Sequence, residues 1–310
     1  MTKFGLTLPQ DKAMDLRHDV ALVAREAEAA GYRSLWTYER SLFPLEPADG
    51  MYGVPGLPWD EGYRSTAEAH TVLTVAATVT STVRVGSALL VAGMHAPLHL
   101  ARSLATLDQL TGGGRVVVGL GGGWSSDEFR AGGADFAHRG KHLDEMVDAL
   151  GALWGPDPVS YEDSRITVDN ALVSPKPVAP IPVLLGGGYS KQALDRIARK
   201  ADGWIPTSIP PEALAGMWQG LQDLAAGHGR PAGAVKLFPL ESVYLTGTDA
   251  GADRLRGVGS INQIVDDLAA MAAVGAEEII IAVHGATSGK DLVEKSGRLM
   301  DALKQAGLAD

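Results

Sequence analysis

The sequence predicts a (β/α)8 TIM barrel, and three observations support this fold class. Apolar runs alternate with stretches of helical spacing eight times along the 310 residues. Several runs are continuous, as in Val116–Val118 and Ile279–Ile281, which is typical of parallel strands buried on both faces. The first run lacks the Gly-x-Gly-x-x-Gly turn of a dinucleotide-binding sheet, which disfavours the alternative, a doubly wound open sheet. We therefore predict one barrel domain over residues 1–310.

Each strand–helix unit is identified by a change in the apolar period. In the first unit, a short apolar run precedes Val20, Val23, Ala24 and Ala27 at helical spacing, and Gly31 ends the helix. The later units repeat this change. The predicted units, in chain order, are Lys3–Leu8 with Arg17–Ala30, Ser34–Thr37 with Thr66–Thr78, Val83–Val91 with Pro97–Leu110, Arg115–Leu120 with His138–Trp154, Val183–Leu185 with Lys191–Lys200, Gly203–Pro206 with Pro211–Ala226, Lys236–Leu245 with Ile261–Val274, and Glu278–Val283 with Leu292–Ala306.

Composition and charge exclude several classes of protein. Hydrophobic residues make up 45% of the chain and charged residues 21%, which allows a large core and excludes disorder, collagen and a coiled coil. The absence of cysteine excludes disulfides, cysteine-ligated zinc and a thiol nucleophile. A net charge of -10 without a basic stripe argues against nucleic-acid binding, and no apolar stretch is long enough for a membrane span. Without a signal-peptide pattern at its start, the chain is expected to be cytoplasmic.

Two connections are longer than ordinary loops. Residues 41–65 follow the second strand, on the side where barrel active sites lie, and contain four prolines and four aromatic residues. This segment is expected either to cover a pocket or to form a packed loop held by its prolines. Residues 155–182 precede the fifth strand and predict a small hairpin at Val159–Tyr161 and Arg165–Val168. Because this second segment enters from the helix side of the barrel, its expected role is structural.

Two glycine runs lie between a predicted strand and a predicted helix, Gly121–Gly123 after the fourth strand and Gly186–Gly188 after the fifth. Backbone N–H groups can converge on an anion at such a place, and Ser190 is expected to cap the next helix, so the second run indicates a phosphate site. The alternative is that the glycines only permit tight turns, and composition does not decide between the two. The first run, followed by Trp124, suits the face of a flat ring better than a phosphate.

Other chemistries lack their residues at the strand ends. His95-x-x-x-His99 and His138-x-x-x-His142 have a spacing that can ligate zinc. The first strand has no histidine pair, however, and the second pair is expected on a solvated helix face, so we predict no metal site. No Gly-x-Ser-x-Gly elbow follows a strand, and among carboxylates only Glu39 is firmly placed at a strand end. A mouth of glycine backbone and aromatic rings suits a planar cofactor that carries out the chemistry.

Six segments between Lys3 and Pro206 form an ordered set of motifs. They are Phe4–Pro9, Gly31–Trp36 with Glu39, Gly86–Leu90 with Pro97, Gly119–Trp124 with Asp127–Phe129, Pro182–Gly188, and Ala201–Trp204. Together, over roughly two thirds of the chain, they resemble the luciferase-like flavin and deazaflavin oxidoreductases. The Glu39-Arg40-x-Leu42-x-Pro44 stretch and the Gly-Trp-x-x-x-Glu-Phe stretch at 123–129 resemble the branch that uses 8-hydroxy-5-deazaflavin, coenzyme F420.

The resemblance implies where such a cofactor lies. Its ring is expected in the barrel mouth against the third strand, where the family has a non-prolyl cis peptide, here Ala88–Leu89 within one residue. The residues expected beside the cofactor are Leu8, Arg40, Ala88, Leu89, Gly122, Trp124 and Asp127, and those expected at its phosphate end are Gly187, Gly188 and Ser190.

Two departures from the family pattern bear on the reaction. Many deazaflavin members carry a histidine at position 40, which acts as the base in the sugar-phosphate dehydrogenases. Arg40 cannot be a base near neutral pH and is expected instead to clamp a carboxylate or the polar edge of the cofactor. Trp124 aligns with an acidic residue of that branch, so glucose-6-phosphate oxidation is not expected. A polyanionic cofactor also needs local cations on this acidic protein, and the candidates are Arg40, Lys191 and Arg196.

The resemblance therefore implies a coenzyme F420-dependent oxidoreductase, expected as a homodimer, that transfers a hydride between the deazaflavin C5 and an organic small molecule. Glu39 and His95 are the candidate catalytic residues, as proton donors. Glu39 is equally a candidate structural partner of Arg40, and His95 a candidate structural loop histidine. Two alternatives stay open, an FMN-dependent two-component monooxygenase and a non-catalytic flavin- or deazaflavin-binding protein.

Overall fold

The structure is a computed structural model that describes residues 1–187 and 189–310. Its strands, in chain order, are β1 (Lys3–Thr7), β2 (Ser34–Thr37), β3 (Arg84–Ser87), β4 (Leu90–Val91), β5 (Val116–Gly121), β6 (Val159–Glu162), β7 (Thr167–Ala171), β8 (Val183–Gly186), β9 (Gly203–Ile205), β10 (Lys236–Leu237), β11 (Leu240–Leu245), β12 (Val258–Gly259) and β13 (Glu278–Val283).

The helices lie between these strands, and all but α4, a short helix before the predicted fourth one, match the helices that the changes of apolar period predict. They are α1 (Leu16–Ala30), α2 (Ala69–Val79), α3 (Pro97–Leu110), α4 (Ser126–Ala131), α5 (Arg139–Trp154), α6 (Lys191–Lys200), α7 (Pro211–Gly227), α8 (Ile261–Ala273) and α9 (Gly289–Gln305). Short 3-10 turns occur at Met51–Gly53, Glu61–Arg64 and Ala92–Met94. In the part of the chain that is described, no helix has the length and apolar character needed to cross a membrane.

The strands form a curled parallel sheet that closes on itself. The hydrogen-bonded order is β10-β9-β8-β5-β3-β2-β1-β13-β11-β12, with β4 also paired to β5. Closure comes from residues 236–245, because β10 pairs with β9 on one side while β11 pairs with β13 on the other. A further bridge joins Thr207 to Leu240 across the same seam. This arrangement confirms the predicted (β/α)8 barrel.

Two irregular regions differ from the simplest prediction. The predicted third strand, Val83–Val91, is divided into β3 and β4 by a cis peptide between Ala88 and Leu89. The segment 155–182 contains the predicted hairpin, since β6 and β7 pair antiparallel. The first long loop, 41–65, holds two short 3-10 turns and no strand.

Side chains alternate between the inside of the barrel and the helices. Leu6 and Leu35, for example, pack in the cluster between sheet and helices. The inward-facing cluster consists of Trp36, Ala88, Val117, Leu184, Ile205, Phe238 and Ile280. Below it, at the amino-terminal ends of the strands, the fully buried Glu278 accepts from Arg84 Nη2 at 2.5 Å and from Ser34. The barrel is therefore filled from below, and its open end lies at the carboxyl ends of the strands.

Candidate active site

The floor of the barrel mouth is the side chain of Leu89, which rests on three inward-facing glycines. A Cβ atom added to Gly186 would lie 2.0 Å from Leu89 Cδ1, and one added to Gly119 or Gly121 would lie 3.1 Å from a Leu89 methyl group. These distances leave no room for any other residue at Gly186 unless Leu89 moves. The glycines of the two motifs therefore have a packing role that composition alone did not indicate.

The cis peptide lies where the resemblance implied it, between Ala88 and Leu89. Ala88 packs in the inward-facing cluster, and Leu89 packs partly against the same cluster from above. The Ala88 N–H donates to Thr37 C=O at 2.6 Å, which ties this segment to the end of β2. Ala88 and Leu89 thus lie at the base of the mouth, although their contact with a cofactor stays a prediction.

Glu39 and His95 form a pair directly beside this segment. Glu39 Oε1 lies 2.9 Å from His95 Nε2, and Glu39 Oε2 accepts from the Val91 N–H at 2.6 Å. The backbone N–H of Glu39 donates to Leu89 C=O at 3.2 Å. A carboxylate and an imidazole in hydrogen-bond contact can hold and exchange a proton. Their catalytic role stays a prediction.

The hairpin of the second long segment reaches the turn that carries His95. Arg165, at the hairpin tip, donates to Ala92 C=O at 3.3 Å and to His95 C=O. Asp163 accepts from the Arg165 N–H at 2.6 Å and so fixes the tip. The hairpin is structural, as expected, but what it supports is the backbone of the Glu39–His95 pair.

Arg40 does not point a free guanidinium at the mouth. Its Nη1 lies 2.9 Å from Glu128 Oε2, and the two side chains are only 8% and 5% exposed. The guanidinium carbon lies 4.6 Å from the ring centre of Trp124 and 5.9 Å from that of Trp59. Burial raises the pKa of Glu128, and Arg40 opposes that rise. Arg40 thus forms an internal ion pair with Glu128, and toward Glu39 it donates only to the C=O. Its buried Nη1 makes no hydrogen bond within the described part of the chain, and its expected role as a clamp on a ligand carboxylate or on the polar edge of the cofactor stays a prediction.

The 41–65 loop is anchored to α4 by a series of hydrogen bonds. Glu128 Oε1 accepts from the Ser41 N–H at 2.7 Å, and Asp127 Oδ2 accepts from the Ala48 N–H at 2.8 Å. Asp49 accepts in turn from the Ser126 N–H at 2.7 Å. Asp127, expected beside the cofactor, uses its carboxylate to hold this loop. The loop is therefore packed against the barrel, and its expected role as the cover of a pocket stays a prediction.

Aromatic rings of the loop pack on Trp124. The ring centres of Trp59 and Trp124 lie 4.5 Å apart, and those of Tyr52 and Trp124 lie 5.9 Å apart. Trp124 therefore links the first glycine run to the loop. Beside it, a Cβ added to Gly122 would meet nothing within 4 Å, so the space next to this backbone is open.

The second glycine run leads into α6 as the sequence predicts. Gly187 has φ +79° and an open side-chain position, and Ser190 Oγ accepts from the Ala193 N–H at 3.2 Å as the helix cap. Gly188, expected at the phosphate end, lies outside the described residues. Of the other candidate cations, Arg196 is bonded to Asp144 through two nitrogen atoms at 2.9 and 3.0 Å. Lys191 makes no ion pair among the residues that are described.

The side chain of Leu8 points away from the barrel interior, and the expected place of this residue beside a cofactor stays a prediction. Phe4, Leu6 and Leu8 all pack between the sheet and the helices, so the alternate residues of β1 face inward. Thr7 is therefore the mouth-facing side chain at the end of β1. The two-residue period of the strand contained this information, but the family alignment alone did not use it.

Sequence reasoning did not predict the neighbours of several aromatic side chains at the mouth, and it missed Tyr244. His284 directly follows β13 and stacks on Tyr244 of β11, with ring centres 4.5 Å apart and planes at 9°. On the loop side, the hydroxyl groups of Tyr52 and Tyr63 lie 3.1 Å apart. His284 stood alone at a strand end in the sequence, and only the strand parity of β11 could have indicated Tyr244 as its neighbour. No group of three or more metal-ligating side chains converges within the described ranges 1–187 and 189–310.

Comparison with known proteins agrees with this architecture. The family profile described as luciferase-like monooxygenase matches residues 2–293. An uncharacterized protein of Mycobacterium tuberculosis is 36% identical over 215 residues, covering 68% of this chain and 74% of that protein. The FMNH2-dependent dimethylsulfone monooxygenase of Pseudomonas putida is 28% identical over 213 residues, 66% of this chain and 58% of that protein.

A solved structure shows the same fold over the full length. An F420-dependent secondary alcohol dehydrogenase in complex with an F420-acetone adduct superposes with a TM-score of 0.76 at 16% identity, covering 100% of both chains. At this identity the likeness concerns the fold. Together with the family match over nearly the whole chain, it leads to one conclusion: the chain belongs to the luciferase-like monooxygenase family.

Proposed function

We propose that the protein is a coenzyme F420-dependent oxidoreductase acting on an organic small molecule. The observation that carries the choice of cofactor is the contact between two motifs that resemble the F420 branch. Arg40, from the first motif, pairs with Glu128, from the second, at 2.9 Å inside the protein. The two motifs therefore form one structural unit, as expected if they were inherited together. The fold shared with an F420-dependent alcohol dehydrogenase supports the same choice.

The residues of the mouth fit a flat cofactor with an anionic tail. Side-chain positions at Gly122 and Gly187 open into free space, so a ring and a phosphate can approach the backbone closely. The amino terminus of α6, capped by Ser190, offers backbone N–H groups to a phosphate. Lys191, the first residue of this helix, supplies the positive charge that the paired Arg40 and Arg196 do not.

The bound deazaflavin would supply the hydride-transfer chemistry, and the protein supplies position and a proton. Leu89, which packs on Gly119, Gly121 and Gly186, would support the bound ring. The loop 41–65, fixed to α4, excludes water from that side. The Glu39–His95 pair holds a proton at the Oε1–Nε2 contact and can release it to a group above the Ala88–Leu89 peptide.

A second candidate is an FMN-dependent two-component monooxygenase. The 28% identity to a dimethylsulfone monooxygenase that uses FMNH2 favours it. FMN has a phosphate but lacks the longer anionic tail of the deazaflavin, so a single helix terminus suffices for it. A third candidate, a protein that binds the cofactor without turnover, shares all of the binding geometry and differs only in lacking an acceptor.

The test is a parallel titration of the apo protein with oxidised F420 and with FMN, followed by quenching of tryptophan fluorescence. Tight F420 binding and weak FMN binding are expected. Gly122→Val, which fills the open space beside this backbone, is expected to weaken F420 binding at least about tenfold. Gly216→Val, on α7, is the matched control, because an added side chain there also meets nothing within 4 Å. Tighter binding of FMN than of F420 would favour the FMN-dependent monooxygenase instead. Binding of neither cofactor would refute both candidate functions.

A further inference from the structure

The wall of the mouth opposite Leu89 is formed by the ends of β11 and β13. Leu240 and Ile280 face the inside of the barrel, so alternate residues further along each strand face the space above them. On β11 these residues are Ser242 and Tyr244, and on β13 the residue is His284, one step beyond the strand end. His284 Nε2 lies 3.2 Å from Ser242 Oγ. A parallel stack of Tyr244 and His284 therefore lines the wall, with Tyr244 40% exposed.

Tyrosines from two other segments lie across from this stack. Tyr52 and Tyr63 bring their hydroxyl groups to 3.1 Å from each other on the 41–65 loop. Tyr189 lies in the turn before α6, with its hydroxyl donating to Thr207 C=O at 2.7 Å. All of these side chains lie beyond the carboxyl ends of strands, in the loop after β2, in the turn after β8 and at the ends of β11 and β13, so they surround the same barrel mouth. We call Tyr52, Tyr63, Tyr189, Tyr244 and His284 the aromatic compartment.

The compartment is uncharged, and its surroundings are acidic. Burial lowers the pKa of His284, so its imidazole is neutral at pH 7 despite the nearby Asp60 and Asp11. The same two carboxylates contribute to raising the pKa of Tyr38 to about 12, mainly through its burial, so this neighbour also stays neutral. Arg40, the cation near Tyr63, is already paired with Glu128. Asp60 and Asp11 act on His284, so a ligand carboxylate stacked beside Tyr244 and His284 would meet negative charge.

We propose that the aromatic compartment binds an uncharged, planar aromatic substrate, stacked on the exposed face of Tyr244 and hydrogen-bonded to the hydroxyl groups of Tyr52 and Tyr63. This deepens the proposed function, on which it rests for the identity of the compartment as a substrate site. Aromatic rings prefer offset-stacked contacts with other rings, and an exposed cluster of large aromatic side chains is typical of a binding site.

Three probes of similar size test the proposal by equilibrium dialysis, with and without F420. 2-Naphthol is aromatic and neutral, 2-naphthoate is aromatic and anionic, and decahydro-2-naphthol is neutral without an aromatic ring. The wild-type protein is expected to bind 2-naphthol at least about tenfold more tightly than either other probe. Tyr244→Leu is expected to weaken 2-naphthol binding about three- to tenfold, whereas the conservative Tyr244→Phe restores it. Asp60→Asn is expected to improve the binding of 2-naphthoate but not that of 2-naphthol.

The proposal would be overturned if the wild type bound 2-naphthoate or decahydro-2-naphthol as tightly as 2-naphthol, or more tightly. It would also be overturned if Tyr244→Leu bound 2-naphthol as tightly as the wild type. Cofactor bound in the same samples is measured by its own absorbance. Loss of the naphthol preference in a protein that binds F420 would refute only the aromatic substrate. A naphthol preference that depends on Tyr244 in a protein that binds no F420 would refute the proposed function and leave the compartment as a ligand site.

Discussion

Removing Arg40 and removing Glu128 from their buried ion pair are expected to change the stability of the protein in different ways. Both side chains are more than nine-tenths buried, so removing one leaves an uncompensated charge at a cost of about 3–5 kcal/mol. In Glu128→Gln the remaining charge is a guanidinium, which cannot lose its proton. In Arg40→Met the remaining charge is a carboxylate whose pKa burial already raises, so it can become neutral.

This difference gives the two variants different pH profiles. Glu128 in Arg40→Met has a folded-state pKa above its unfolded value, so the folded state is favoured at low pH and loses that advantage as pH rises. Arg40→Met is therefore expected to be nearly as stable as wild type at pH 5 and clearly less stable at pH 8. Glu128→Gln is expected to be destabilised at both. About 2.1 cal/mol/K of unfolding entropy per residue converts 3–5 kcal/mol into a fall in Tm of about 5–8 °C for 310 residues.

The assay is thermal unfolding from pH 5 to 8, with amide hydrogen exchange at Ser41 and Ala48 to report on the loop. The Ser41 N–H donates to Glu128 and is expected to lose protection in Glu128→Gln, whereas the Ala48 N–H, which donates to Asp127, is expected to lose less. Arg130→Met is the control, since it breaks an ion pair on the same helix in which the arginine side chain is 75% exposed. Identical pH profiles for Arg40→Met and Glu128→Gln, or shifts no larger than that of Arg130→Met, would refute the reasoning.

Three further changes test other parts of the site. Lys191→Glu is expected to weaken F420 binding at least about fivefold and FMN binding less. Lys236→Glu makes the same change of charge at the far end of the barrel and is expected to leave the binding of both cofactors unaffected. Equal losses of F420 and FMN binding in Lys191→Glu would count against a binding site for the cofactor tail at this lysine. Arg165→Gln is expected to lower the hydrogen-exchange protection of the amides of residues 92–95 and to weaken F420 binding about threefold or more. Arg199→Gln, which removes an exposed ion pair, is the control and is expected to change neither. Unchanged exchange protection in Arg165→Gln would show that the hairpin does not hold that turn. Burial raises the pKa of Glu241 to about 7, although Arg256 opposes this rise. The folded state therefore gains stability that is fully present below about pH 4.5 and is lost as the pH rises through 7. The Tm of wild type minus that of Glu241→Gln should fall between pH 5 and 8, and a constant or rising difference would contradict this.

The fold and the backbone of the site followed from the sequence because they depend on local pattern. Continuous apolar runs identified the strands, and the ordered motifs identified the position of the Ala88–Leu89 peptide. The helix cap at Ser190 depends on residues within a few positions of each other, so local reasoning reached it.

The side-chain partners did not follow from the sequence, because they depend on contacts between distant segments. Arg40 and Glu128 are 88 positions apart, and Glu39 was an equally reasonable partner for Arg40 before the structure placed β2 beside α4. The stack of Tyr244 on His284 requires the register of β11 against β13. Strand parity predicts the direction of the Leu8 side chain, whereas nothing local predicts the partner of Asp127, because the Ala48 N–H that it binds belongs to an irregular loop.

The most direct test of the central claim is a crystal structure of the protein with oxidised F420. The ring is expected in van der Waals contact with Leu89, between Gly122 and Tyr38, with its phosphate at the amino terminus of α6 beside Lys191. A ring bound away from Leu89, or a phosphate bound at another helix terminus, would contradict the site described above.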